Sequence, residues 1–261
     1  MPGVLYDSIV YGPVSSRRFG VSLGINVLPE DTTFCSFDCI YCEAGWNNIK
    51  ANGHAKQLFH KRDDIIDSLK SRLTDLKERH LMPESITFSG NGEPTMHPEF
   101  AQVLKDVKNI RDLYAPEAAV TVLSNSTTLD NVEVFESLSN IENNIMKLDA
   151  GSEYLFKLIN QPNGNIHLSD IINNLKRFQG NLFIQSMFLK GIHRGLAIDN
   201  TTDQEVNQWL SHIKTINPKG VMLYSIDRPT PNHTIEKIPY AQLEEIAKRV
   251  RELGIDATSY S

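Results

Sequence analysis

Cys35-Ser36-Phe37-Asp38-Cys39-Ile40-Tyr41-Cys42 holds every cysteine of the 261-residue chain within eight positions, spaced three and then two residues apart. Scattered thiols do not cluster in this way and leave none elsewhere. Thiolates this close on one loop converge naturally on a single metal centre. Three protein ligands to a 4Fe–4S cluster would leave one iron open, as a catalytic metal site keeps a free position. Two other readings stand beside this one. The first is a disulfide with a spare thiol, but Met1-Pro2-Gly3-Val4-Leu5-Tyr6-Asp7 carries no charged-then-apolar signal segment that would point to an oxidising compartment. The second is a structural zinc with three Cys and either His54 or His60. Zinc sites usually draw their cysteines from two separated knuckles, whereas here all three share one loop of about residues 31–45.

Composition fits a globular α/β protein with a sizeable core, at 40% hydrophobic residues. No apolar run approaches the length that crosses a bilayer. A net charge of −6 provides no global attraction for nucleic acid. The expected setting is cytoplasmic and reducing, without a membrane. No repeat, linker or low-complexity stretch divides the chain, so one domain over residues 1–261 is expected.

Outward from the cysteines, short β-rich runs alternate with amphipathic runs, as in successive βα units. Strands are predicted at 21–27, 84–89, 119–124, 144–149, 181–189 and 220–226. Helices are predicted at 62–79, 100–113, 129–138, 152–158, 168–178, 203–215 and 240–253. The first of these carries Ile65, Ile66, Leu69, Leu73 and Leu76 at helical spacing. About six parallel βα units with right-handed crossovers give a curved, open sheet, a partial (β/α)6 barrel. Active sites in such sheets gather at the C-terminal strand ends.

Those ends are polar. The first strand leads to the cysteines and the second to Asn91-Gly92-Glu93-Pro94. Ser124 and Asn125 close the third. Along the fourth, Ile145, Lys147 and Asp149 share one face, and Met146 and Leu148 the other. The fifth carries Gln185 and Ser186, with Met187 and Phe188 read as core. The sixth runs through Tyr224 into Asp227-Arg228-Pro229. Taken singly, these features also fit an ordinary turn, helix caps or a structural ion pair. Their co-occurrence beside three thiols is what suggests a site.

Cys-x3-Cys-x2-Cys with Tyr41 before the last cysteine resembles the defining motif of radical S-adenosylmethionine (SAM) enzymes. Asn91-Gly92-Glu93-Pro94 is similar to the Gly-Gly-Glu-Pro segment of that superfamily, with Asn in place of the first Gly. Residues 11–26, Lys147-Leu148-Asp149-Ala150-Gly151 and Asp227-Arg228-Pro229 resemble the wyosine-synthase-like subgroup. Wyosine enzymes that modify tRNA carry further N-terminal cysteines for a second cluster; this chain has three cysteines in all.

The resemblance implies a radical SAM core with one 4Fe–4S cluster on Cys35, Cys39 and Cys42. A reductant such as flavodoxin or ferredoxin would supply the electron. SAM would be cleaved to methionine and a 5′-deoxyadenosyl radical that takes hydrogen from a substrate, a small molecule or a nucleic-acid base. Backbone near Tyr41 would meet the adenine. Asn91, Gly92 and Glu93, fixed by Pro94, would hold the ammonium. Ser124, Asn125, Lys147 and Asp149 would serve the ribose and carboxylate, with Gln185 and Ser186 beside them. Tyr224, Asp227 and Arg228 would form the far wall of the substrate cavity, Arg228 reading a carboxylate, phosphate or base edge. Arg17, Arg18, Lys50, Lys56, Lys61 and Arg62 are candidates for a basic rim that meets an anion or tRNA, with a solvated face as the plain alternative. Two other functions remain: an activase that installs a glycyl radical in a partner protein, and a non-catalytic iron–sulfur sensor.

Overall fold

A computed structural model describes residues 3–47 and 59–260. Its frame is an eight-stranded sheet in the order β1-β2-β3-β4-β5-β6-β9-β11. β1 (Val10–Ser16) and β2 (Gly20–Ile25) form an antiparallel hairpin. From β2 onward every neighbour is parallel: β3 (Ser85–Phe88), β4 (Ala119–Ser124), β5 (Asn143–Lys147), β6 (Phe183–Met187), β9 (Gly220–Tyr224) and β11 (Asp256–Tyr260). The sheet is thus the expected half-barrel, with β11 as a seventh parallel strand beyond the six read from sequence. α1 (Arg62–Glu78), α2 (Phe100–Tyr114), α3 (Val132–Ser139), α4 (Glu153–Ile159), α5 (Leu168–Lys176), α6 (Asp203–Ile216) and α7 (Tyr240–Arg251) lie close to their predicted ranges.

Three short strands escaped prediction: β7 (Leu189–His193), β8 (Leu196–Asp199) and β10 (Ile235–Lys237) form a separate antiparallel sheet. β7 and β8 turn through Arg194 and Gly195, both at positive φ (51° and 79°), as a two-residue hairpin requires. β1 was also missed, since Pro13 argues against a strand interior. The strand lies at the sheet edge, and its register shifts between Tyr11 and Val14, where a proline is tolerated.

Period-two alternation divides the sheet into two chemistries. One face carries Leu23, Ile25, Ile86, Phe88, Val120, Val122, Ile184, Val221 and Leu223, all buried beneath the helices. α1 meets it with Ile65, Leu69, Leu73 and Leu76. Each such side chain contributes roughly 1.5–3 kcal/mol on burial. The concave face instead carries small polar groups. The hydroxyls of Ser22 and Thr87 lie 2.8 Å apart, those of Ser85 and Thr121 2.8 Å apart, and Asn143 Nδ2 donates to Thr121 at 3.0 Å. Short polar side chains leave the lumen open toward the C-terminal strand ends, where large aliphatic ones would fill it. Among the described residues no helix is long and apolar enough to cross a membrane.

Candidate active site

The cysteine loop is stitched to two neighbouring loops by backbone hydrogen bonds. Phe34 N donates to Asn91 O at 2.8 Å and Glu93 N to Phe34 O at 3.0 Å. On the other side Asp38 N donates to Asn160 O (3.0 Å), Ile40 N to Ile159 O (3.0 Å) and Asn163 N to Ser36 O (2.8 Å). Gly92 is obligatory here: at φ +141° a Cβ would sit 1.9 Å from Phe34 O. The Asn91-Gly92-Glu93-Pro94 turn and the thiols therefore form one assembly.

All three cysteines are free. Side-chain amides point at two of the sulfurs: Asn125 Nδ2 lies 3.4 Å from Cys35 Sγ, and Asn160 Nδ2 3.4 Å from Cys39 Sγ. Phe37 N donates to Cys35 Sγ at 3.4 Å. Burial pushes the Cys39 thiol up to about 12, with Lys147 pulling the other way, and burial likewise raises Cys35 and Cys42. Cys35 feels the charge of Cys39 and Cys42, and Cys39 that of Cys42, so the three are neighbours. Among the described residues no three Cys, His, Asp or Glu side chains are already closed around a point. His60 does not join them in such a group, and His54 lies outside the described residues. A loop of three free thiols with N–H donors turned on the sulfurs fits a thiolate-bound iron–sulfur cluster, because such donors spread the negative charge of coordinated sulfur.

Glu93 is the second element. It is 2% exposed, and burial raises its pKa. One oxygen accepts from Thr95 N and Thr95 Oγ1, the other from Asn125 N at 2.6 Å. No cationic side chain among the described residues pairs with it. A buried carboxylate without a counter-ion is costly, and a cationic ligand group would relieve that cost.

Asp149 differs. Its side chain is fully buried and both its oxygens accept hydrogen bonds. Tyr41 Oη donates to it in a very short bond, Asn160 Nδ2 at 2.6 Å and Met187 N at 2.9 Å, while Lys147 Nζ stands 3.6 Å away. Lys147 also donates to Tyr41 Oη at 2.7 Å. Burial works against the charged Lys147, but Asp149 and the surrounding hydroxyl and thiol groups outweigh it and raise its pKa. Asp149 thus latches the cysteine loop to the end of β5. Tyr41 joins the same latch through its side chain.

Other sequence-read residues also find their places. Asn91 was read as an ammonium contact. Its side-chain amide accepts from Tyr6 N (2.8 Å) and donates to Tyr6 O (2.9 Å) and Pro29 O (2.8 Å). Asn91→Gly is therefore expected to lower stability by about 2–3 kcal/mol, read from the shift in denaturant midpoint, because it orphans buried backbone groups. Pro94 opens a short 3-10 turn capped by Glu93. Ser124 Oγ accepts from Ser126 N at 3.1 Å beside Glu93. Gln185 faces the lumen and bonds Tyr224 Oη. Ser186 cannot, since it follows Gln185 along the strand; its hydroxyl bonds Leu148 O and Trp209 Nε1 on the helix side. That removes Ser186 from the site.

A cavity of about 390 Å³ opens on the concave face beside the cysteine loop. Tyr224, Asp227 and Arg228 do line it. Arg228 is engaged by Glu43 at 2.7 Å with its side chain 67% exposed, and Asp227 is engaged by Arg17 at 3.0 Å and Lys237 at 3.2 Å. Both residues read from sequence as substrate contacts thus stand at the cavity wall within ion pairs. Of the candidate basic rim, Arg17 and Arg18 line the cavity and Arg62 pairs with Asp106 at 2.6 Å; Lys50 and Lys56 lie outside the described residues. Met187, read as core, lines the cavity; Asn160, visible only as part of a turn, is a hub of the thiol loop. No local signal marks either one, because both act through contacts between distant loops.

Comparison with known proteins agrees with this geometry. Residues 30–213 match the model of the Radical SAM superfamily. A UPF0026 protein of Synechocystis is 32% identical over 85% of this chain and 77% of its own length. A "GTPase Obg" of Brachyspira hyodysenteriae is 31% identical over 92% of this chain, which spans only 33% of that protein. Among solved structures, a radical SAM methyltransferase from Sphaerobacter thermophilus superposes with a TM-score of 0.67 at 14% identity, over 92% of this chain and 65% of the other. An archaeal TYW1 gives 0.52 at 15% identity, over 88% of this chain and 71% of the other. The half-barrel, the three-cysteine loop and these matches converge: the chain belongs to the radical SAM superfamily of enzymes.

Proposed function

We propose that the chain holds one 4Fe–4S cluster on Cys35, Cys39 and Cys42, binds SAM along the adjoining strand ends, and removes a hydrogen atom from a small molecule in the 390 Å³ cavity. The observation that carries this reading is the direct stitching of the free thiols to the Glu93 turn beside an open lumen. When bound, the cluster and SAM supply one-electron cleavage of a sulfonium to methionine and a 5′-deoxyadenosyl radical. The chain's own groups bind and orient. Glu93, buried without a counter-ion, accepts the ligand ammonium. Asn125 and Asn160 donate to the sulfurs. Lys147, 21% exposed in its side chain, offers its remaining donors to a carboxylate. Tyr6, Tyr11 and Phe19 line the cavity. Its volume of about 390 Å³ favours a small molecule over a protein loop, and so over the activase reading. The superfamily's enzymatic character leaves no support for a non-catalytic sensor.

Anaerobic reconstitution followed by assay for 5′-deoxyadenosine tests the reading: zinc without sulfide, or intact SAM under reducing conditions, refutes it. Glu93→Gln is expected to weaken SAM binding roughly tenfold, the equivalent of about 1.4 kcal/mol, at unchanged iron content. Equal affinity in equilibrium dialysis would return Glu93 to a purely structural role.

A further inference from the structure

Five charged side chains line the cavity: Arg17, Arg18, Arg228, Glu43 and Asp227. Arg228 meets Glu43 and Arg17 meets Asp227, as described above. Arg18 has no such acid. Its Nη1 is buried and makes no hydrogen bond. Its guanidinium carbon stands 5.2 Å from the centroid of the Phe19 ring and 5.4 Å from that of Tyr224, so aromatic faces flank it but supply no acceptor. The nearby hydroxyls are already engaged: Tyr224 Oη by Gln185, and Tyr11 Oη by Ser89 Oγ at 2.6 Å. The backbone at Arg18 is itself fixed, since the N–H groups of Arg18 and Phe19 both donate to Ser16 Oγ at 3.2 Å. A buried guanidinium donor held in place without an acceptor calls for one from outside the chain.

We propose that Arg18 receives the carboxylate of the substrate, and that the substrate is a small monocarboxylic acid. This deepens the function proposed above and rests on it. Arg228 and Arg17 each meet an acid and Arg18 does not, so a single negative charge matches it. A carboxylate matches the planar fork of a guanidinium, whereas a phosphomonoester brings a second charge that finds no partner. Leu123, Met187 and the two rings beside Arg18 offer the rest of the ligand apolar contacts, and Ser22, Thr87 and Ser89 offer it hydroxyls. The chain's net charge of −6 disfavours a polyanion at long range. The anion-reading role expected of Arg228 therefore passes to Arg18, which the sequence marked as one member of a candidate basic rim.

The test uses the full reconstituted chain with SAM and no reductant, so that binding is read without turnover. Benzoate, phenylacetate and 4-hydroxyphenylacetate are titrated against their primary amides and phenyl phosphate, by ligand-observed NMR and calorimetry. At least one acid is expected to bind at least tenfold more tightly than its amide. Arg18→Gln should remove that preference, Arg18→Lys should restore part of it, and Arg228→Gln should change it less than twofold. Melting temperature and iron content accompany each variant. Should Arg18→Gln fail to fold, the acid-to-amide ratio of the unmodified chain and the Arg18→Lys variant still decide. Four results overturn the proposal: no acid binding, equal binding of acids and amides, tighter binding of phenyl phosphate, or an Arg228→Gln loss as large as that of Arg18→Gln. The first would mean that water alone satisfies Arg18. Failure of the radical reading looks different: SAM then yields no 5′-deoxyadenosine, whatever the acids do.

Discussion

Cys39→Ala is expected to leave essentially no iron or sulfide bound after anaerobic reconstitution, with loss of the visible iron–sulfur absorbance. The reason is arithmetic as well as geometric. Three thiols are all the chain possesses, and they lie within eight residues, so no spare sulfur can take the vacant place. Cys39 also receives the Asn160 amide at 3.4 Å, which joins the thiol loop to the loop after α4. The same outcome is expected for Cys35→Ala and Cys42→Ala. Iron and sulfide analysis checks it: full occupancy by a four-iron cluster in any single variant would show that the three thiols are not the ligand set. SAM cleavage should fall below detection in parallel.

Asp149→Ala is expected to destabilise the chain by about 3–5 kcal/mol, the usual cost of removing one partner of a buried ion pair. It strands Lys147 beside Tyr41 and frees the Asn160 amide, so the cysteine loop loses its tie to β5. Iron uptake should then drop together with stability. Asp149→Asn, which keeps the shape and part of the hydrogen bonding, should retain much of both. Denaturant unfolding and iron content on the two variants separate this positioning role from a direct contact with SAM. A direct contact predicts weaker SAM affinity at normal stability and iron content.

The half-barrel was legible because its signals are local and repeated. Alternating hydrophobicity fixed β4 at its full range, and the apolar stripe at Ile65, Leu69, Leu73 and Leu76 fixed α1. β1, β7, β8, β10 and β11 were not legible. They are short or at edges, and their stability comes from pairing with distant segments, as β10 pairs with β7 across more than forty residues. Within the site, the thiols and the Glu93 turn stood out as motifs. Ser186 was misplaced because a polar residue at a strand end does not show which face it takes. Its register opposite Leu223 and its bond to Trp209 settle that it faces the helices.

The sequence by itself determined the chemistry at hand: three thiols on one loop, a glycine-flanked carboxylate, and polar strand ends in an α/β frame. These are properties of residue type and spacing, and they hold before any contact forms. Only the tertiary structure decided which charged groups are already engaged. Asp149, Arg228 and Asp227 read as equal candidates along the chain, yet each is taken up by partners far away in sequence. Arg18, one of several basic residues along the chain, has a buried nitrogen without a partner. The availability of a charge depends on burial and on neighbours brought together by folding. A linear pattern carries neither.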